Sequence, residues 1–227
     1  MRSAFENVNR TFEAFRPAIE SLWKQIKISL ELLPENLKIM ANHGWFINMH
    51  MTPGETNYAG ELLKKGHFRK ADNFMVEMIT NYQHLVKRDL FERHPKRSKI
   101  LKAAFRNHQQ KDYISSIPIF LAQADGICFD YTNLRIYRSQ KGKPEIRQAI
   151  KKMNQSSFRA VLLQPLLEQT LITASENRLN EFRGNLNRHE ILHGVSVDYP
   201  SRINSCKAIS WIAYISELFE KVSESID

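Results

Sequence analysis

The sequence contains little glycine, proline or cysteine. Its 227 residues include 8 Gly, 8 Pro and 2 Cys, whereas 42% are hydrophobic and 25% are charged. This composition excludes collagen-like, linker-dominated and disordered chains and predicts a packed globular protein. The length allows one large domain or two small ones.

Two further absences bear on location. Cys128 and Cys206 are too few for a disulfide framework and form no CxxC pair, which favours a reducing compartment. No apolar run approaches the roughly 20 residues that a membrane span requires, and the first 30 residues lack the apolar core of a signal peptide. We therefore expect a cytoplasmic protein with no membrane partner.

Positive charge is in excess, but it is unevenly distributed. The formal net charge is +9 and the pI is about 9.6. Residues 51–112 carry thirteen basic and seven acidic groups and residues 113–160 carry eight and three, whereas residues 161–227 carry six and nine. The middle of the chain is thus where a polyanion would bind, although such charges also occur on faces that only contact water.

Apolar residues recur mostly at helical spacing, which predicts an all-α multi-helix bundle. The only plausible strands are 127–131 and 134–137, as one small hairpin. We predict a helical region of unknown role over 1–112 and a second helical bundle over 113–227. The predicted helices include one to Leu33, one from Pro34 to His43, then 68–91, 98–110, 158–182, 186–193 and 204–222.

One short segment, LNRHEILHG, concentrates groups capable of chemistry, and it has two incompatible interpretations. The first is an HExxH motif, in which His189 and His193 bind zinc and Glu190 is the general base. A third ligand is then needed, and Glu217 and Glu220 on the last helix are candidates. The scarcity of strands weakens this zinc peptidase interpretation, because peptidases commonly hold their substrate along a sheet edge.

The second interpretation pairs Arg188 with His193 in an Arg-x4-His motif, which suits RNA cleavage without a metal. Arginine presents a planar charged fork to phosphate oxygens, and histidine can carry the protons that the reaction moves. On an ideal helix, positions five apart are separated by roughly 140°, so the two side chains would have to converge at a helix end or across a dimer interface. His189 and His193 do share a face.

The sequence around this motif resembles the HEPN superfamily as it occurs in bacterial and phage-defence proteins. The resemblance rests on LNRHEILHG, on the Tyr199 and Asn204 that follow it, on Lys207-Ala208-Ile209 opening the last apolar helix, and on the upstream VLLQPLL. It covers residues 113–227. Four residues, Tyr199-Pro200-Ser201-Arg202, form an insertion between the motif and the last helix.

The resemblance implies a homodimer whose two motifs line one cleft and which cleaves RNA without a cofactor. Arg188 would bind the scissile phosphate, His193 would carry the proton and His189 would fill the polar position after the arginine. It also implies a toxin or defence role, with an antitoxin or trigger protein as a further partner. We assign Asn187, Glu190 and Tyr199 supporting roles. The expected RNA-binding residues are basic and lie mid-chain: Lys87, Arg88, Lys96, Arg97, Lys99, Lys102 and Arg106.

Two less specific alternatives stay open at this point. The domain can be a non-catalytic HEPN-like module for nucleic-acid binding or dimerisation. In the plainest structural interpretation, Arg188 pairs with Glu190 or Glu181 and His193 is buried in the core.

Overall fold

The computed structural model describes residues 2–140, 142–152 and 157–223, with side chains for 15–140, 142–152 and 159–219. The protein is an all-α multi-helix bundle with one small hairpin whose two strands have two residues each, and this confirms the predicted fold class. The α-helices are α1 Arg2–Asn42, α2 Pro53–Lys64, α3 Phe68–Arg93, α4 Ser98–Gln109, α5 Tyr113–Thr132, α6 Ile146–Lys152, α7 Ser157–Leu163, α8 Arg188–Leu192 and α9 Arg202–Ser223. Short 3-10 helices occupy Pro95–Arg97, Gln164–Leu167 and Glu176–Glu181, and strands β1 Ser139–Gln140 and β2 Lys143–Pro144 pair antiparallel.

Helix α9 is the centre of the bundle. Residues 204–219 are all buried, and the helix packs against α3 and α5. A helix buried on every side must satisfy its polar groups internally. Accordingly, Ser205 bonds His108 on α4, and Ser216 bonds His94 just after α3, each at 2.7 Å.

The hydrophobic core continues across residue 112. Phe46 lies against Trp211 and Tyr214 of α9, with ring centroids 4.5 and 5.2 Å apart. These three side chains are at most 2% exposed and belong to the same buried cluster as Phe105 and Phe120. The helices before and after residue 112 therefore share one core.

The predicted hairpin was misplaced. Residues 127–131 belong to α5, which ends in Asn133 with a left-handed φ of 55°. Residues 134–137 form no strand, and the hairpin that exists lies just beyond them, at 139–144. Dense apolar residues occur in buried helices as well as in strands, and this helix faces α4 and α9 on two sides.

The predicted long helix over 158–182 was also wrong. Helix α7 ends at Leu163 and is followed by the 3-10 helix Gln164–Leu167, because Pro165 has no N–H to continue the α-helical bonds. The chain is extended at Glu168 and then turns through 170–174. Leu171 and Ile172 are buried there without being helical. Their spacing along the sequence matches that of a helical apolar face, which is why a helix was predicted here.

The predicted break at Pro34 does not occur, because α1 continues through both Pro17 and Pro34. Leu33, Leu37 and Met40 are buried where this helix packs against α2. This packing compensates for the hydrogen bond that Pro34 cannot make. Before Leu33, in contrast, the described side chains of α1 are almost all exposed.

Among the described helices, none combines the length and the apolar character needed to cross a bilayer.

Candidate active site

The candidate motif lies on α8, a short helix held by one asparagine. Asn187, only 1% exposed, caps the helix by accepting hydrogen bonds from the backbone N–H groups of His189 and Glu190 at 2.9 and 3.3 Å. Its amide also donates to the carbonyls of Leu171 and Ala174 at 2.9 and 3.0 Å. Asn187 thus fixes the start of α8 against the non-helical segment before it. The expected supporting role of Asn187 is structural.

Arg188 points into a pocket of about 320 Å³. Its guanidinium carbon lies 5.0 Å from the ring centroid of Tyr137, a cation–π arrangement. Within the described part of the chain it forms no ion pair, and its buried Nε has no hydrogen-bond partner. The lining residues are Tyr137, Ser139, Ile172, Thr173, Ala174, Ser175, Glu176, Asn177, Arg188 and His189.

The ion pairs expected for a purely structural Arg188 are not formed. Glu181 pairs instead with Arg178, and its pKa is lowered chiefly by the hydrogen bond from that guanidinium. The side chain of Glu190 makes no ion pair in the described ranges. Its backbone carbonyl accepts hydrogen bonds from the N–H groups of Val195 and Ser196. A guanidinium with no acidic partner beside a pocket can take an anion.

The two histidines of the motif contact each other. The ring centroids of His189 and His193 are 4.5 Å apart. His189 lines the pocket, whereas His193 follows the end of α8 as its C-cap and is exposed. Arg188 and His193 are related through His189, which lines the pocket with Arg188 and whose ring contacts that of His193.

Glu217 does not join these histidines, which corrects the predicted zinc set. It is 6% exposed, and its Oε2 accepts a hydrogen bond from the backbone N–H of Met49 at 2.9 Å. In the described ranges it is grouped with His50 and Asp89, the only three potential ligands within 4.8 Å of one another. Within the described ranges no third ligand lies beside His189, Glu190 and His193, and the side chain of Glu220, the other candidate, lies outside those ranges.

The His50 and Asp89 pair beside Glu217 is already well bonded. His50 Nε2 lies 2.8 Å from Asp89 Oδ2, and Arg88 donates twice to Oδ1 of the same carboxylate, at 2.9 and 2.7 Å. Burial raises the pKa of Asp89, but the hydrogen bonds from Arg88 and His50 outweigh it and hold the pKa below its usual value. This network ties α3 to the segment that follows α1.

Tyr199 is placed elsewhere than expected. Its hydroxyl donates to the carbonyl of Ile114 at 3.1 Å, and its carbonyl accepts from the side-chain amide of Asn204 at 2.8 Å. Burial, followed by the charge of Asp112, raises its pKa. Tyr199 fixes the segment before α9 against α5 and does not line the pocket.

The seven predicted RNA-binding residues divide into two groups. Lys96, Lys99, Lys102 and Arg106 are exposed, and the last three share a face of α4 at helical spacing. We call Lys99, Lys102 and Arg106 the basic stripe. Lys87 is half-buried, with its ammonium 5.6 Å from the centroid of Phe105.

The other group consists of structural arginines. Arg97 donates to Asp130 at 3.0 and 2.8 Å and to Gln123 at 2.9 Å, which anchors the 3-10 turn before α4 to α5. Arg88 is committed to Asp89. A guanidinium held on two sides by side-chain oxygens has little capacity left for phosphate, which disfavours the predicted RNA contact of Arg97. None of the seven lines the pocket.

Sequence reasoning missed Tyr137, which forms one wall of the pocket. Its hydroxyl donates to the carbonyl of Leu121 at 2.9 Å and accepts from Trp211 Nε1 at 2.8 Å. Burial raises its pKa well above that of a free tyrosine. No spacing in the sequence connects Tyr137 to Arg188, because the contact depends on the packing of the hairpin region against α9.

No family model, curated protein or solved structure matches the chain.

Proposed function

We propose that the protein is a metal-independent endoribonuclease that uses Arg188, His189 and His193. One observation carries the proposal: a guanidinium with no acidic partner in the described chain faces a surface pocket beside two imidazoles in contact with each other. These are the groups that phosphodiester cleavage needs, namely a fixed cation for the phosphate and two proton carriers.

Arg188 supports phosphate binding in this proposal. Its position over Tyr137 fixes the guanidinium, and Ser139, Ser175 and Asn177 provide hydrogen-bonding groups around the same pocket. Glu176 is the one acidic residue among those lining the pocket in the described chain, and it is exposed. A phosphate oxygen would accept two hydrogen bonds from the planar guanidinium, which would stabilise the additional negative charge of the phosphorane.

The two imidazoles support proton transfer. One imidazole would accept the proton of the ribose 2′-hydroxyl while the 2′-oxygen attacks the adjacent phosphorus. The P–O5′ bond then breaks, the second imidazole gives a proton to the leaving 5′-oxygen, and a 2′,3′-cyclic phosphate is left. His193 is exposed and His189 lines the pocket, so both can reach a bound strand.

The HEPN resemblance of residues 113–227 supports the same reaction and adds a homodimer whose two motifs share a cleft. A toxin or phage-defence role in the cytoplasm, with an antitoxin or trigger protein, is the broadest form of the proposal and rests on the resemblance alone. The basic stripe supports an RNA substrate, since exposed cations at helical spacing suit a phosphate backbone.

The test is cleavage of single-stranded RNA by the purified chain with EDTA present. We expect Arg188→Ala and His193→Ala each to lower the rate by about a hundredfold or more, a scale typical of losing general acid–base or charge stabilisation. His189→Ala should be similarly impaired. Mass spectrometry of the products should find 2′,3′-cyclic phosphate ends.

An arginine and a histidine outside the pocket serve as matched controls. Arg183 is exposed and lies over the ring of Phe68 at 4.1 Å, so Arg183→Ala removes an arginine that also packs on an aromatic ring. His84 is exposed on α3, and His84→Ala removes an imidazole outside the pocket. Both controls should keep the wild-type rate. Full cleavage by folded His193→Ala, or cleavage abolished by EDTA, would refute the proposal.

A further inference from the structure

The middle of α1 presents an apolar stripe that no described residue covers. Its members lie between Phe15 and Leu30, and each is exposed by 39% or more: Phe15 59%, Ile19 43%, Leu22 57%, Trp23 66%, Ile26 39% and Leu30 41%. We call these six residues the α1 stripe. On a helical wheel they occupy an arc of about 100°. A single-helix surface this apolar needs a partner, because water penalises each of these side chains.

The spacing of the stripe is that of a coiled coil. Phe5, Val8 and Phe12 precede Phe15 in steps of three and four, and Ile19, Leu22 and Ile26 continue these steps toward Leu33. This alternation runs over three heptads, from Phe5 to Ile26, and such a repeat keeps an apolar seam facing another helix. The pattern therefore indicates a helix as the partner.

The charges along this segment identify the kind of partner. Residues 2–32 carry five basic and four acidic side chains, in contrast to the +9 of the whole chain. A helix that lies on an anionic membrane has a polar face rich in lysine and arginine, whereas Glu13, Glu20 and Glu31 alternate here with Arg16, Lys24 and Lys27. A nearly neutral helix can pair with its own copy without repulsion.

The available area also fits a self-paired helix. Burying the six stripe residues would remove on the order of 600 Å² from each chain, since a fully buried aromatic side chain accounts for about 150–250 Å². Two chains would then bury on the order of 1,200 Å², which is the lower end of stable interfaces.

We propose that two copies of this chain pair through α1, with the α1 stripe of one copy packed against that of the other. A two-fold pair needs a patch complementary to itself, and a straight seam on one helix fulfils that condition. The pair is separate from the α8 pocket, so this inference does not depend on the ribonuclease proposal.

The experiment is light scattering of the full chain after size exclusion, across a concentration series. We expect at least twice the chain mass of 26.6 kDa for the wild type. The double variant Ile19→Glu with Ile26→Glu should halve the wild-type mass, because it places four carboxylates in the seam and leaves any pairing at α8 intact. Ile28→Glu is the matched control, since Ile28 is 46% exposed but lies about 180° from Ile19 around the helix. It should keep the wild-type mass.

A second variant guards against simple loss of the helix. Ile19→Ala with Ile26→Ala keeps strong helix formers, so circular dichroism should stay unchanged while the dimer dissociation constant rises on the order of a hundredfold or more. A wild type that is monomeric throughout the series overturns the proposal. So does a dimer that neither double variant weakens, or a monomer that binds phosphatidylglycerol vesicles through the stripe. RNA cleavage is measured separately, which distinguishes failure here from failure of the proposed activity.

Discussion

Arg188 lies over the ring of Tyr137, with its guanidinium carbon 5.0 Å from the ring centroid. The ring is itself fixed, because its hydroxyl is bonded to the carbonyl of Leu121 and to the indole N–H of Trp211. A long flexible side chain at the edge of a pocket is thereby held against a rigid part of the core. This contact connects the stability of the bundle to the chemistry proposed at α8.

The two functions of Tyr137 can be separated by substitution. Tyr137→Phe keeps the ring under Arg188 but leaves the buried Trp211 N–H without its acceptor, whereas the Leu121 carbonyl lies inside α5 and loses only an additional bond. We expect a loss of about 1–3 kcal/mol in the free energy of unfolding. RNA cleavage by the folded protein should stay close to wild type. Urea unfolding and the cleavage rate are the two measurements.

Tyr137→Leu is the companion variant. It removes the ring as well as the hydroxyl, so Arg188 loses its support and the cleavage rate should fall together with the stability. Equal rates for the folded Phe and Leu variants would show that the ring does not position the arginine.

The sequence was sufficient to predict the helices whose bounds depend only on nearby residues. Helical spacing predicted α3, α4 and α9 to within three residues at each end, because long apolar periods and a following proline leave few alternatives. The motif at 188–193 was identifiable for the same reason. Its residues are close in sequence.

The remainder depends on contacts between distant segments. The turn over 170–174 is stabilised by burial of Leu171 and by Asn187, which caps α8 from the other side. Arg97 appears as one more cation in a basic run until α5 places Asp130 and Gln123 beside it. Both relationships join residues that are distant in sequence, so no regular spacing predicts them.

Stability should fall between neutral and mildly acidic pH because of two buried histidines. Burial, reinforced by the charges of Arg97 and Arg93, lowers the pKa of His94 to about 4. Burial, reinforced by Arg202 and Lys87, does the same for His108. In the unfolded chain both would titrate near 6.5, so the unfolded state binds more protons between these values and gains stability relative to the folded state as pH falls.

The expected effect is about 2 kcal/mol per histidine between about pH 7.5 and pH 5. It is measured as the difference in the free energy of unfolding by urea at the two pH values. His94→Gln with His108→Gln keeps a hydrogen-bonding group for Ser216 and Ser205 but does not titrate, so this variant should lose less of its stability on acidification. An undiminished pH dependence would assign the effect to other groups.

The basic stripe should govern RNA affinity without affecting the cleavage chemistry. Replacing Lys99, Lys102 and Arg106 with glutamine should weaken binding and lower the slope of log affinity against log salt by about 2, since each phosphate contact on a single strand contributes roughly 0.7. The rate at saturating RNA should be unchanged, because these residues do not line the Arg188 pocket. Fluorescence anisotropy over a salt series measures the slope.

The control for that variant removes the same charge elsewhere. Lys65, Arg69 and Lys70 are exposed near the start of α3, and their replacement by glutamine lowers the net charge equally. If the control reduces the salt slope as much as the stripe variant does, RNA is responding to net charge and not to the α4 face.

Gly126 and Arg97 should be energetically coupled. A Cβ added to Gly126 would lie 2.4 Å from Arg97 Nη1 and 2.8 Å from its Cζ, so alanine there must displace the guanidinium from Asp130 and Gln123. Glycine to alanine inside a helix is otherwise favourable by about 1 kcal/mol. The Asp130 carboxylate is exposed, so its ion pair contributes at most about 1 kcal/mol, and the bond to Gln123 contributes about 1 kcal/mol more. Set against the gain in helix propensity, we expect Gly126→Ala to destabilise the wild type by up to about 1 kcal/mol.

In a chain that already carries Arg97→Ala the sign should reverse. The guanidinium is then absent, so Gly126→Ala gains helix propensity at no steric cost and should stabilise the protein by up to about 1 kcal/mol. The double-mutant cycle, measured by urea unfolding, thus predicts a coupling of about 1–2 kcal/mol, above the few tenths expected of independent sites. Additive effects would show that Arg97 moves aside freely, in which case it would be available to RNA after all.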